Sequence, residues 1–341
     1  MGKKVRMAFV GLGWWGNVLA DIAKANEKIK IAACCSRSEN KMKDFVSTYG
    51  GAAVSDYGTL VSSPDIDAVI LTTPNSLHAR QAIEAAENGK HIFVEKPMAL
   101  TTADCTCMIE AAAKAGVVLT VGHNSRRMER FRKAKLLIEE GAVGRIVLVE
   151  VNSSNDLGMS IAPDHWRSFR SENPGGPLMT YCVQKADYLN HLIGPVKKVS
   201  AFIKKICGPA EADDVVSSVL EFENGALGYL GASYITPHRQ LFQVHGTEGV
   251  IFIDEEGGSG SIYYQKRGTK TMVKQAVAYD AKQQKKESLK EELDDFANSI
   301  LTGVDLEITG ETGRAAIALM EAMVISARMG KTVLIKNLLQ S

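Results

Sequence analysis

The sequence predicts an α/β protein in two parts: a doubly wound parallel sheet, then an α/β domain with an open, mostly antiparallel sheet. Three observations predict it. Apolar β-branched runs alternate with helical patterns up to residue 123, a glycine fingerprint occupies the first strand–helix junction, and the later strands follow one another through turns as short as "ENG" and "GTEG".

At 341 residues the chain exceeds what one hydrophobic core usually supports, and 45% hydrophobic residues suffice to build two. The 40 basic and 39 acidic side chains leave a net charge of +1, which gives no electrostatic footprint for nucleic acid or an anionic membrane. The expected partner is a small molecule. The apolar stretch in "MGKKVRMAFVGLG" is short and breaks at glycines, so it reads neither as a signal peptide nor as a membrane span, and a cytoplasmic protein is expected. Six cysteines in a chain of this length read as reduced and mostly buried thiols, and "CTC" lacks the spacing and second ligand pair of a zinc site, so no metal is expected.

In chain order, "VRMAFV" reads as a strand, 16–26 as a helix, "IKIAACC" as a strand and 39–48 as a helix. The alternation continues with "DAVILTT", a helix over 77–88, "HIFVEK", a helix over 102–115 and "VVLTVG". Such repetition implies parallel strands covered by helices on both faces, with the first domain spanning 1–123 and the second 124–341. "GHNSRRMERFRKAKLLIEEG" then reads as a basic amphipathic helix. The strands "RIVLVEVNSS", "VSAFIKKI", "DVVSSVLEF", "ALGYLGASY", "RQLFQVHG" and "VIFIDE" follow, and helices over 287–302 and 311–329 close the chain. "KQQKKESLKEE" (282–292) reads as a charged, solvated stretch.

Gly11, Gly13 and Gly16 in "GLGWWG" have the dinucleotide spacing in the right context. Gly11 permits the tight turn, Gly13 lets backbone approach a pyrophosphate, and Gly16 lets helix pack on strand beside a helix N-terminus of positive potential. Trp14 and Trp15 lie in this loop, either in the core or against the cofactor. Where an acidic residue would receive the ribose hydroxyls of NAD, the chain has Ser36 and Arg37, a hydroxyl and a planar cation suited to a 2′-phosphate. NADP(H) is therefore expected over NAD(H), with NAD(H) remaining possible.

"GKHIFVEKP" brings Glu95, Lys96 and Pro97 to a carboxyl strand end, where such sheets bind ligands, and "LTTPNSLH" brings Thr73, Pro74, Asn75 and His78 to the same rim. A lysine there either snorkels to solvent or is held by the proline turn at the nicotinamide site. His78 reads as a rim residue or as a helix-start residue with satisfied hydrogen bonds. Further along, "GGPLMTYCVQKAD" (175–187) reads as a glycine turn and a helix with a polar stripe of Thr180, Gln184 and Asp187.

"GLGWWG", "DIDAVILTTPNSLHARQAIEAAENGKHIFVEKP", "WRSFRSENPGG" and "TGETGRAAIALMEAMVISARMGKTV" together resemble the Gfo/Idh/MocA oxidoreductases over nearly the whole chain. The resemblance implies a Rossmann domain and an open-sheet domain that binds substrate and forms homodimers or homotetramers, with the C-terminal helices packing back toward the Rossmann domain. It implies hydride transfer between NAD(P) and a sugar, cyclitol or related alcohol carbon. It assigns the catalytic lysine to Lys96 and a cis peptide to Lys96–Pro97. It also aligns the usual active-site aspartate with Thr180 and the proton-relaying histidine with Gln184, neither of which titrates near neutral pH. Both can still orient a substrate hydroxyl.

Replacements for the relay are Tyr181, whose phenol a nearby cation would lower, and His165, an imidazole of suitable intrinsic pKa. Lys185 reads as solvated. Trp166 and Arg167 offer a stacking face and an anion clamp, which admits a carboxylated or phosphorylated substrate, and His123 reads as a further rim histidine with Arg126 and Arg127 behind it. The leading function is an NAD(P)-dependent dehydrogenase or reductase of a sugar, polyol or cyclic diol. The alternatives are an enzyme that cycles its cofactor to cleave a glycosidic bond, and a non-catalytic dinucleotide sensor.

Overall fold

The computed structural model describes residues 3–255 and 260–340. The chain divides into two compact units, one of residues 1–123 and 289–314, the other of 124–288 and 315–341.

In the first unit, β1 (Val5–Val10), β2 (Ile29–Cys35), β3 (Ala52–Ala53), β4 (Ala68–Leu71), β5 (His91–Glu95) and β6 (Leu119–Gly122) are all parallel, in the order β3-β2-β1-β4-β5-β6. The order reverses between β1 and β4, the switch point at whose carboxyl edge doubly wound sheets bind ligands. The strands are apolar because both faces are covered, and β4 is buried at every position. The connecting helices are α1 (Trp14–Lys24), α2 (Glu39–Tyr49), α3 (Tyr57–Ser62), α4 (His78–Glu87) and α5 (Thr102–Ala115). Ser38, Asp56 and Thr101 cap α2, α3 and α5 by accepting the N–H of Lys41, Thr59 and Asp104. The sequence reading lacks β3 and α3. The former is two exposed alanines without an apolar run, and the latter is a short helix whose one legible signal is its Asp56 cap.

The second unit is built on a mixed nine-stranded sheet of β7 (Ile146–Ser154), β8 (Val196–Lys204), β9 (Val215–Phe222), β10 (Leu227–Ser233), β11 (Arg239–Gly246), β12 (Gly249–Ile253), β13 (Ile262–Lys266), β14 (Val273–Gln275) and β15 (Val333–Leu334). Its order is β14-β13-β12-β11-β7-β10-β9-β8-β15, antiparallel except where β7 meets β10. The last three strands of this set are short and go unread in the sequence. Helices α6 (Glu129–Glu139), α7 (Val183–Leu192), α8 (Ala281–Thr302), α9 (Gly310–Met329) and α10 (Lys336–Leu339) complete the chain. Phe131 of α6 stacks on Tyr188 of α7 at 3.9 Å and meets Phe242 of β11 edge-on at 5.8 Å, which fixes both helices to the sheet.

The expectation of a solvated 282–292 is corrected, because α8 runs through it and buries Gln284, Ser288, Leu289 and Glu292, one helical stripe hidden among lysines and glutamates. Leu289, Leu293 and Phe296 of α8 join the core of the first unit beside Met7, Phe9 and Phe93. Lys185 is also corrected from solvated to buried: its ammonium pairs with Glu255, to which Arg130 lies at 3.8 Å. Desolvation pushes the Glu255 carboxyl up, but Lys185 and Arg130 together hold it below its usual range. Arg126 grips Asp187 of α7 with both ends of its guanidinium, so the third member of the expected polar stripe is a buried ion-pair partner.

Burial, followed by the charges of Arg126 and Lys135, pushes the His191 imidazole down to about 4 from its ordinary 6.5. The unfolded chain therefore takes up the proton first on acidification. The stability this neutral histidine contributes is present above pH 6.5 and is lost as pH falls toward about 4. Chemical unfolding at pH near 7 and near 4.5 should show a loss that His191→Gln reduces by about 1–3 kcal/mol. An identical pH dependence in the variant would remove His191 from the acid response.

Candidate active site

The glycine loop meets the structural demands of a phosphate cradle. Gly11 has φ +94°, and a Cβ there would stand 2.7 Å from the Thr72 carbonyl carbon. A Cβ on Gly16 would meet the Gly11 carbonyl oxygen at 2.5 Å, so α1 seats against the turn only because Gly16 has none. A Cβ on Gly13 would meet nothing within 4 Å, so the space that opens there suits a group approaching the backbone. Gly13 is also the N-cap of α1, with no side chain occupying the N–H groups of the first turn and no acidic residue there to repel an anion. These residues fit a dinucleotide.

Trp14 is 72% exposed, so the core reading is overturned for it. Trp15 is half-buried against the core of the first unit, and its indole N–H donates to Glu95 at the end of β5. The other oxygen of Glu95 accepts the backbone N–H of Lys96 at 3.1 Å. Lys96 is half-buried and the Lys96–Pro97 peptide is cis.

Thr73, Pro74 and Asn75 follow β4 on the same edge, with the Thr73 hydroxyl donating to Gln81 at 2.6 Å and Asn75 buried. Of the two readings of His78, the helix-start one holds and the rim one is corrected. Its ring is buried, with Nδ1 2.9 Å from the Pro97 carbonyl oxygen and Nε2 2.9 Å from that of Thr73, bracing the two strand-end loops against each other. His123 is likewise corrected, because 1% exposure leaves no surface for a substrate to touch. At the end of β2, Ser36 is half-buried and its hydroxyl accepts the Ser38 N–H, while Arg37 is exposed.

In the second unit the glycine turn is sterically required. Gly175 and Gly176 have φ +75° and +56°, and a Cβ on Gly176 would fall 1.7 Å from the Asp213 carbonyl oxygen. The expected continuous helix starts instead as a π turn over Leu178–Cys182 before α7. That wider turn carries Thr180 and Tyr181, and Gln184 follows on α7, all three half-buried. Thr180 donates to Asn173 at 3.3 Å. Tyr234 lies beside Thr180 and Asn173, and its buried hydroxyl closes no hydrogen bond of good geometry with either. Tyr181 meets Tyr234 edge-on at 5.4 Å over a small apolar cluster with Ile161 and Ala210. The sequence reading missed Asn155, Asn173 and Tyr234. Their only signals were an asparagine just before the glycine turn and an asparagine and a tyrosine just past strands.

The proton-relay candidates change accordingly. Burial pushes the Tyr181 phenol up, with Asn155 and Arg167 only partly opposing it, so the expected lowering is overturned. His165 caps a short turn, and its Nδ1 accepts the backbone N–H of Arg167 at 3.2 Å. Desolvation, with Arg167 second, holds the imidazole below its ordinary value. A neutral imidazole accepting at Nδ1 carries its proton on Nε2, so the free edge of the ring donates and offers no base. Trp166 stacks on His165 at 5.7 Å, and the Arg167 guanidinium stands 4.4 Å above the Trp166 ring.

The family described as "Oxidoreductase family, NAD-binding Rossmann fold" matches residues 5–123, and the "GFO/IDH/MocA C-terminal domain" matches residues 131–252. The chain is 31% identical to 2,7-anhydro-N-acetylneuraminate hydratase of Escherichia coli strain K12, over 76% of this chain and 70% of that one. It is 27% identical to myo-inositol 2-dehydrogenase of Thermotoga maritima, over 92% and 94% of the two chains. The solved structure of levoglucosan dehydrogenase in complex with NADH and levoglucosan superposes with a TM-score of 0.88 at 25% identity, covering 98% of this chain and 100% of that one.

The two loop glycines should separate fold from binding. Gly11→Ala should cost about 1–3 kcal/mol of stability because its conformation and its space both exclude a side chain. Gly13→Ala should leave the melting temperature nearly unchanged while weakening dinucleotide affinity, read by intrinsic tryptophan fluorescence, by about tenfold or more. Normal dinucleotide affinity in Gly13→Ala would show that the open space at Gly13 is not the cradle.

Proposed function

The chain belongs to the Gfo/Idh/MocA oxidoreductase family, and from that premise we propose that it transfers a hydride between NAD(P) and an alcohol or carbonyl carbon of a sugar, polyol or cyclic diol. The observation that carries this reading is the glycine loop, a cradle whose open space and bare helix N-terminus suit a pyrophosphate. The curated relatives act on an anhydro-sugar acid and an inositol, by name, and both classes present secondary alcohols or their equivalents.

When bound, the dinucleotide supplies the hydride acceptor or donor. The chain must then hold the substrate oxygen and move its proton. Thr180 and Gln184 orient hydroxyls without titrating, Tyr181 stays protonated, and His165 has its Nδ1 engaged. Lys96 is the group left to exchange a proton with the substrate oxygen or to stabilise the charge that develops on it. Glu95 fixes the backbone from which Lys96 projects.

Arg37, exposed after β2 with Ser36 beside it, favours NADP(H) over NAD(H). The sheet of the second unit exposes Leu148, Phe202, Val219 and Leu227 on neighbouring strands, an apolar surface suited to a second copy of the chain in a homodimer or homotetramer. Among the described residues no helix is long and apolar enough to cross a membrane. A second reading, in which the hydride returns to the same substrate after elimination, is favoured by the likeness to the hydratase and by the loss of titrating groups at Thr180 and Gln184. It predicts a cofactor that copurifies and no net reduction of added NADP.

Two variants test the site. Lys96→Ala should lower kcat roughly a hundred- to ten-thousand-fold with dinucleotide affinity little changed, and undiminished turnover would exclude Lys96 from the chemistry. Arg37→Ala should lower kcat/KM with NADP by about tenfold and spare NAD. A wild type that already prefers NAD would contradict the assignment of Arg37.

A further inference from the structure

Four arginines of the second unit have an acid beside them. Arg126 holds Asp187, Arg130 approaches Glu255, Arg170 reaches Asp213 at 3.3 Å and Arg267 reaches Glu248 at 3.1 Å. Arg167 differs. It is half-buried, its guanidinium stands over the Trp166 ring at 4.4 Å, and among the described residues no carboxylate comes within salt-bridge distance of it. The groups whose charge bears on it are the hydroxyls of Tyr181 and Tyr234, and desolvation leads in pulling its pKa down. A cation drawn partly out of water without a counter-ion is unfavourable unless a ligand supplies the anion. An aromatic ring does not use up the N–H donors of a guanidinium, which suit a planar acceptor.

A second observation points the same way. The hydroxyl of Tyr234, 2% exposed, has no well-formed hydrogen bond although Thr180 and Asn173 adjoin it, so the polar cluster beside Arg167 is incomplete as it stands.

We propose that Arg167, seated on Trp166, binds the carboxylate of the substrate, so that the compound oxidised or reduced is a carboxylated sugar or a carboxylated cyclic diol. This rests on the reading of the second unit's polar cluster as the substrate site. Charge balance favours carboxylate over phosphate. The adjoining His165 is neutral, so Arg167 presents a single positive charge, which matches a carboxylate and leaves a phosphate monoester, of charge near −2, uncompensated. Nothing in the sequence motif distinguishes an anion clamp from a solvated arginine at this position; the ring beneath it and the missing acid do.

The test uses matched pairs of compounds: glucuronate with glucose, quinate with myo-inositol, and glucose 6-phosphate as the phosphoryl control. Affinity is read by calorimetry on the cofactor-loaded protein, and net redox separately by the absorbance of reduced nicotinamide. The expected result is that at least one acid binds about tenfold or more tighter than its uncharged counterpart, that Arg167→Gln abolishes this advantage, and that Arg167→Lys keeps part of it. Acids binding no better than their neutral counterparts would overturn the proposal, as would a preference that survives Arg167→Gln or tighter binding of glucose 6-phosphate. An Arg167-dependent acid preference with no reduction of added cofactor would uphold the carboxylate site and count against a net dehydrogenase. Reduction by a neutral sugar with no acid preference would do the reverse.

Discussion

Glu95 ties the cofactor-facing edge of the first unit together. One oxygen receives the indole N–H of Trp15 from the glycine loop and the other receives the backbone N–H of Lys96. The carboxylate occupies the space beside Gly122 so closely that a Cβ there would lie 2.7 Å from it. A buried carboxylate needs its acceptor sites filled, and here that requirement ties the loop after β1 to the lysine after β5 and to a bare backbone on β6. His78 does comparable work one strand over by bridging Thr73 and Pro97. The strand-end loops therefore behave as one braced surface.

The second unit solves a different problem, anchoring a helix with polar residues on several sides. Phe131, Tyr188 and Phe242 supply the apolar contact, while Asp187 and Lys185, both buried, are each taken up by a partner of opposite charge, Arg126 and Glu255. Such pairs contribute little net stability, but removing one partner strands a charge, so they penalise any other rotation of α7 about its axis. The consequence is that Thr180, Tyr181 and Gln184 are presented in one fixed orientation.

Much of this was legible in the sequence. The parallel sheet, the glycine loop and the strand-end lysine are encoded locally, in apolar runs and short motifs whose geometry leaves few options. The short edge strands β3, β14 and β15 were not, because two or three residues carry no period. Residues 282–292 were misread because their buried stripe of Gln284, Ser288 and Glu292 is polar, so no apolar periodicity extends the helix read at 287–302 back over them. Lys185 and His123 were misplaced for a related reason: whether a titratable side chain is solvated depends on partners far along the chain, such as Glu255, and no local pattern names them. Tyr234 stands more than 50 residues from Thr180, and only folding makes them neighbours.

The π turn at Leu178–Cys182 gives this framework an adjustable phase. A wide turn holds one more residue than an α-helical turn, and such insertions re-aim the side chains that precede them relative to those that follow. In α-helical geometry each residue advances the direction of a side chain by about 100°. Losing one residue there would regularise the helix, leave α7 clamped by Arg126 and Glu255, and swing Thr180 to a new bearing relative to Asn173. Single-residue indels at this point are thus a dial by which descendants of one scaffold can re-aim the polar side chains of this turn without disturbing the core.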